Sequence, residues 1–130
     1  MTVTRIASGG PWEDAYGYSR AVIAGPNAYV SGCTAVMDGM VHHEGDPYRQ
    51  ALTAFGLGLA TLREAGFAPE HVVRTRMYVT HTRDMDAVGR AHRELFGAVR
   101  PAATMVVVSK LIDPQMLVEV EIDAYLEGAR

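Results

Sequence analysis

One segment restricts the fold more than any other: residues 46–66 carry a start signal, a helical repeat and a stop signal in a single run. Asp46 is placed to cap a helix and Pro47 to fill its first position, where a missing N–H is harmless. Leu52, Phe55, Leu59 and Leu62 then recur at intervals of three and four residues until Gly66 ends the run. Such a stripe must be buried against another layer. Gly56 and Gly58 interrupt it, and each costs about 1 kcal/mol relative to Ala inside a helix, so they predict close packing against a neighbouring backbone.

The flanking segments supply the other layer. Tyr18 to Ala24, the Gly-Pro-Asn at 25–27 and Ala28 to Ala35 read as strand, turn, strand. Residues 36–45 are polar and glycine-containing, a loop with a short extended stretch at Met40 to His42. After the Phe67-Ala68-Pro69 break, Val72 to Thr80 reads as a strand with Val73, Thr75, Met77 and Val79 on the face that helices cover and Arg74, Arg76 and Tyr78 on the other. A second helix is expected from Met85 to Phe96, capped by Asp84 or Thr82, with Met85, Val88, Ala91 and Leu95 as its apolar stripe and Gly97 beyond its end. Arg100-Pro101 breaks the chain again. Ala102 to Ser109 and Leu117 to Leu126 close it as strands, joined by a loop containing Asp113-Pro114.

The order is therefore β-β-α-β-α-β-β, an α+β fold with a mixed sheet and two helices on one face. Its other face carries Arg74, Arg76, Tyr78, Glu119, Glu121 and Tyr125, a polar surface that is either solvated or shared with other subunits.

With 130 residues, the chain has the size of one domain, spanning 1–130. A domain of that length buries about two-thirds of its unfolded surface, so it needs neither disulfide nor metal to fold. The lone Cys33 can form no intrachain bridge. No apolar run is long enough to span a membrane, and a cytoplasmic location is expected. The net charge is −3, with both signs mixed along the chain. Without a cluster of Lys and Arg to neutralise phosphates, the sequence argues against nucleic acid as a partner.

Several side chains offer chemistry, each with a plainer reading beside it. Glu119 and Glu121 stand two apart on a strand and so share a face, which is a solvated or ion-paired strand as readily as a site. Cys33 would need a basic neighbour or a lowered pKa to act as a nucleophile, and the sequence shows no partner; a small packed thiol is the simpler reading. His42, His43, His71, His81 and His92 show no metal-ligand spacing, so no metal and no cofactor are expected.

Five pieces, in order, carry a resemblance to a known family: Gly17-Tyr18-Ser19-Arg20-Ala21-Val22; Tyr29-Val30-Ser31-Gly32; Glu64-Ala65-Gly66 followed by Val72-Val73-Arg74-Thr75; Phe96-Gly97 with Arg100-Pro101-Ala102; and Leu117-Val118-Glu119-Val120-Glu121. Together they resemble the RidA family, reactive-intermediate deaminases also called endoribonuclease L-PSP. The resemblance implies a chorismate-mutase-like fold and a homotrimer with small-molecule clefts between subunits. It also implies hydrolysis of enamines or imines to a carbonyl compound and ammonia. It puts Glu119 at the family's water-positioning glutamate, Tyr18 at its cleft tyrosine and Gly32 at a glycine whose backbone approaches the ligand.

Where the family's deaminases read Pro-Ala-Arg followed by Ser or Thr, this chain reads Pro101-Ala102-Ala103-Thr104. Arginine grips a carboxylate through two parallel charge-assisted bonds, and Ala103 has no such fork. Each such bond contributes roughly 1.5–3 kcal/mol, so an α-imino acid should bind about ten- to a hundredfold more weakly, or weaker still. Gly89 stands where an asparagine is usual, and Cys33 and Met105 fall at cleft positions, which implies a more apolar pocket. Arg76, Arg74 or Arg20 is then a candidate to replace the anchor, with an ion pair to Glu119 or Glu121 as the structural reading of Arg76. Three functions remain open: a hydrolase with an atypical pocket, a non-catalytic small-molecule binder, and the ribonuclease of the family's second name.

Overall fold

The computed structural model describes residues 2–128. In chain order the elements are β1 (Val3–Ile6), α1 (Pro11–Tyr16), β2 (Ala21–Ala24), β3 (Asn27–Cys33), β4 (Val36–Met37), β5 (Met40–Val41), α2 (Pro47–Glu64), β6 (Val72–Val79), α3 (Met85–Phe96), β7 (Ala102–Val107) and β8 (Val118–Tyr125). Six strands form one sheet in the order β1-β2-β3-β8-β6-β7, and β4 pairs with β5 in a separate hairpin. Among the described residues only the β6–β7 pairing in the large sheet is parallel, so the sheet is mixed and the fold is α+β.

Three elements were not expected, one of them β4, which falls in the segment read as a loop and pairs with β5. β1 adds an edge strand, and α1 is a third helix in the connection that follows it. α1 has its own local logic: Pro11 starts it, Gly17 ends it in the left-handed conformation at φ 77°, and the Gly17 N–H donates to Glu13 O. Asp46 does cap α2, its side chain accepting from the Arg49 N–H. α2 buries Ala51, Ala54, Phe55, Gly58, Leu59 and Leu62, and Phe55 meets the ring of Phe96 edge-on at 5.2 Å. Gly58 packs against side chains rather than backbone, since a Cβ there would fall 2.8 Å from Ile122 Cδ1; Gly56 has nothing within 4 Å. In α3 the buried residues are Val88, Ala91 and Phe96, and Met85 of the expected stripe is exposed at the first turn.

From the sheet, Val118, Val120, Ile122 and Ala124 of β8 and Val72, Thr75, Met77 and Val79 of β6 complete the core. Val73 departs from its expected face: the register slips between Val72 and Arg74, Val73 is the extra residue, and it is 49% exposed while Val72 takes the buried place. On the opposite face Arg76 sits across from Glu121 and ion-pairs with Asp123 at 3.3 Å and Glu121 at 3.7 Å, while the Tyr78 hydroxyl donates to Glu121.

Gln50 ties the layers together. This fully buried side chain of α2 accepts from the Leu117 N–H at 2.9 Å and donates to Gln115 O at 2.9 Å and His43 O at 3.3 Å. The segment entering β8 is thereby fixed to the helix layer.

Candidate active-site cleft

The cleft begins with an irregularity in β3. Val30 pairs with Ile122 and Cys33 with Val120, so three residues of β3 span the interval covered by two of β8, and the Ser31-Gly32 stretch bulges from the ladder. The displaced carbonyls need donors. Arg20, just ahead of β2, supplies them: its Nη1 donates to Gly32 O at 2.7 Å and Ser31 O at 3.3 Å, and approaches Cys33 Sγ at 3.2 Å. The Ser31 hydroxyl and N–H fasten back to the same stretch, through Ser19 O and Arg20 O.

Glu119, the second residue of β8, lies beside this bulge. A Cβ on Gly32 would overlap its carboxylate, so only glycine leaves room for the side chain in its present position. Burial is the main reason that the Glu119 pKa stands above its ordinary 4.5; the negative charge of Glu121 adds to the rise, and Arg20 opposes it. Cys33 is buried, and burial raises its pKa too, although the Arg20 cation works against that. The thiol is therefore protonated and packed, not an activated nucleophile.

These residues border an open cleft of about 390 Å³. Ser8, Trp12 and Tyr18 come from the α1 region, Leu57 and Thr61 from α2, and Ile112 and Met116 from the segment that Gln50 secures. The position of α1 is set by the buried Glu13: its side-chain carboxyl group accepts from the Ser8 N–H at 3.1 Å and from the Ser8 hydroxyl, and its carbonyl accepts from the N–H groups of Gly17 and Tyr18. The ring of Trp12 stacks on Tyr16 at 5.3 Å, nearly parallel.

Of the residues singled out from sequence, Tyr18, Gly32, Cys33 and Glu119 meet in this one cleft, and so does Arg20. Gly89, Ala103, Thr104, Met105 and Arg76 do not line it. Met105 packs against the helix-side core; Ala103 and Thr104 are exposed on β7, which is paired only with β6. Gly89 lies on α3 with open space where a side chain would be. Arg76 is committed to its two carboxylates. Trp12, Ile112 and the polar residues Ser8 and Thr61 were missed. Gly10-Pro11 followed by Gly17 was the available signal for α1, and hence for Trp12.

Residues 12–126 match the family described as Endoribonuclease L-PSP. The chain belongs to that family. An uncharacterized protein of Streptomyces coelicolor is 50% identical over 123 residues, which is 95% of this chain and 92% of that one. The crystal structure of a Mycobacterium tuberculosis member of the YjgF/YER057c/UK114 family is 41% identical, covers 96% of this chain and all of that one, and superposes with a TM-score of 0.87. A Pseudomonas aeruginosa protein of unknown function is 33% identical, covers 96% of this chain and 93% of its own, and has a TM-score of 0.80. Membership in the L-PSP family supports, at most, a small-molecule deaminase or an endoribonuclease-like role. No helix among the described residues is long and apolar enough to cross a membrane.

Proposed function

We propose that this L-PSP family member is a hydrolase of small enamines or imines, with Glu119 as the group that handles the proton. The observation that carries this reading is a half-buried carboxyl group, held against the Gly32 backbone in a cleft, whose pKa is raised mainly by burial. In the carboxylate form Glu119 takes a proton from water as its oxygen bonds to the C=N carbon. The substrate enters as the iminium, whose nitrogen takes up the C=N electron pair as water adds, giving a neutral carbinolamine. Glu119 then passes its proton to that nitrogen, the C–N bond breaks to release ammonia, and the hydroxyl proton left on the new carbonyl goes to the Glu119 carboxylate, which loses it to ammonia or solvent. General acid–base work of this kind contributes about 10²–10⁴-fold. A net charge of −3 and a carboxylate in the cleft favour this over RNA cleavage.

The same reading makes the active species a homotrimer. β7 is an edge strand on which every residue but Met105 is exposed, including Val106 and Val107, and an apolar edge of this kind is normally covered. In a trimer Gly89, Ala103 and Thr104 of one subunit would face the Glu119 cleft of the next.

The test is ammonia release from a panel of enzymatically generated imines by the wild type and by Glu119→Gln, with sedimentation run on both. The expected result is trimers in both cases and turnover only in the wild type. Equal rates in the two proteins, or cleavage of RNA that survives purification and is lost in Glu119→Gln, would overturn the proposal.

A further inference from the structure

Thr75 brings a hydroxyl into the interior away from the cleft. The residue is fully buried on β6, and its Oγ1 has one hydrogen-bond partner among the described residues, Nε2 of His92 on α3, at 2.7 Å. The imidazole lies among aromatic rings, 5.6 Å from that of Phe55 and 4.9 Å from that of Phe96. Every buried side-chain nitrogen and oxygen among the described residues has a partner, and Nδ1 of His92 has none there, so Nδ1 reaches water. These contacts assign the proton of the neutral ring. With hydrogen on Nδ1 and Nε2 accepting from Thr75, every group is satisfied.

A second proton, on Nε2, turns that nitrogen into a donor. The Thr75 hydroxyl then carries a hydrogen with no acceptor in a dry interior, and a cation stands beside Phe55 and Phe96. No carboxylate compensates. Arg74, Arg76 and Tyr78 of β6 alternate to the opposite sheet face. Tyr48 of α2 is bonded to Glu94 and lies under Arg90, while Arg63 and Glu64 stand more than two turns beyond Phe55. On α3, Arg90, Arg93 and Glu94 are one or two positions from His92 and do not share its face. In the turn before β6, Glu70 is exposed and His71 accepts through Nδ1 from the Ala68 N–H. Burial alone accordingly lowers the His92 pKa from its ordinary 6.5.

We propose that the Thr75–His92 bond is an acid-released latch between the sheet and the second half of α3: protonation of His92 breaks it, and α3 opens locally while α2 stays packed. The latch is independent of the hydrolytic reading, since neither residue lines the cleft. Its direction in pH follows from linkage. The opened or unfolded chain takes up the proton near the ordinary value, so the latch holds fully above about 6.5, and its contribution is lost as pH falls through the lower folded value.

Nitrogen–proton correlation spectra of the histidine rings, recorded from neutral pH into mild acid beside amide exchange corrected for its intrinsic rate, test it. The neutral His92 ring should carry its hydrogen on Nδ1, and exchange in the second half of α3 should quicken several-fold as His92 titrates, with α2 unaffected. Thr75→Val should move the His92 midpoint up toward 6.5, because the neutral ring loses the donor that favours it. Thr75→Val combined with His92→Phe removes both polar partners at similar shape, so this variant should fold and show no acid-linked exchange in α3. A neutral ring protonated on Nε2, exchange in α3 that does not follow His92, equal quickening in α2, a midpoint unmoved in Thr75→Val, or the same acid response in the folded double variant would overturn the proposal. Tautomer and linked exchange are read on the wild type, so they decide the matter even if the double variant fails to fold.

Discussion

A Cβ at Gly32 would lie 2.9 Å from Cδ of Glu119 and overlap its carboxylate, so the absence of a side chain at one residue holds open the place of the acid at the other. Gly32 is the bulge residue whose carbonyl accepts from Arg20, which means that one local departure from the ladder positions a carboxyl group and a cation together.

Gly32→Ala should therefore fold normally, because the obstacle is the far end of a flexible side chain and Gly32 does not need a left-handed backbone. Displacement of Glu119 by the new methyl should lower kcat/KM by about 10²-fold, the usual penalty for misplacing a reacting group by an ångström. Steady-state kinetics with a thermal melt checks both halves: loss of activity at an unchanged Tm is expected.

Glu119→Gln should stabilise the protein at neutral pH. The folded state keeps the Glu119 proton to higher pH than the unfolded chain, so this group's contribution to stability falls as pH rises from the unfolded value through the raised folded value. The variant lacks that loss. Its Tm should match the wild type at low pH and exceed it increasingly as pH climbs through that window; paired melts at several pH values read the difference.

Gln50→Ala should be among the most damaging single changes away from the cleft. It would remove three hydrogen bonds, to the Leu117 N–H and to the Gln115 and His43 carbonyls, made from a fully buried position, at about 0.5–1.5 kcal/mol each. Urea denaturation should show a loss of roughly 2–4 kcal/mol, well above the usual cost of a point substitution. The loop carrying Ile112 and Met116 should also show faster amide exchange.

Cys33 should react slowly with iodoacetamide at neutral pH in the native protein and quickly in denaturant, since burial raises its pKa and hides it. Cys33→Ala should keep turnover within a few-fold of wild type, whereas a nucleophilic role would abolish it.

The sequence made the long elements legible because their signals are repeated: Asp46-Pro47 and the stripe to Leu62 mark α2, and Val118, Val120 and Ile122 alternate with Glu119 and Glu121 along β8. α1 lacks this redundancy, being six residues long, too short for a period to show. The two bulges are silent for another reason. A bulge adds one residue without changing residue type, so the exposure of Val73 and the turning of the Ser31 and Gly32 carbonyls could be seen only once β8 was paired against β6 and β3. Arg20 was undervalued for the same cause: a charged residue at the start of a strand is ordinary until the carbonyls that it satisfies are known.

The most direct test of the central claim, that Glu119 activates water, is kcat/KM followed from neutral pH into the acid range on a 2-imino acid generated in place. The rate should fall as Glu119 takes up its proton, with the midpoint above the ordinary carboxyl value of 4.5 and higher still in Arg20→Gln, where the restraining cation is gone. A profile flat through that range, or a midpoint that Arg20→Gln leaves in place, would contradict it.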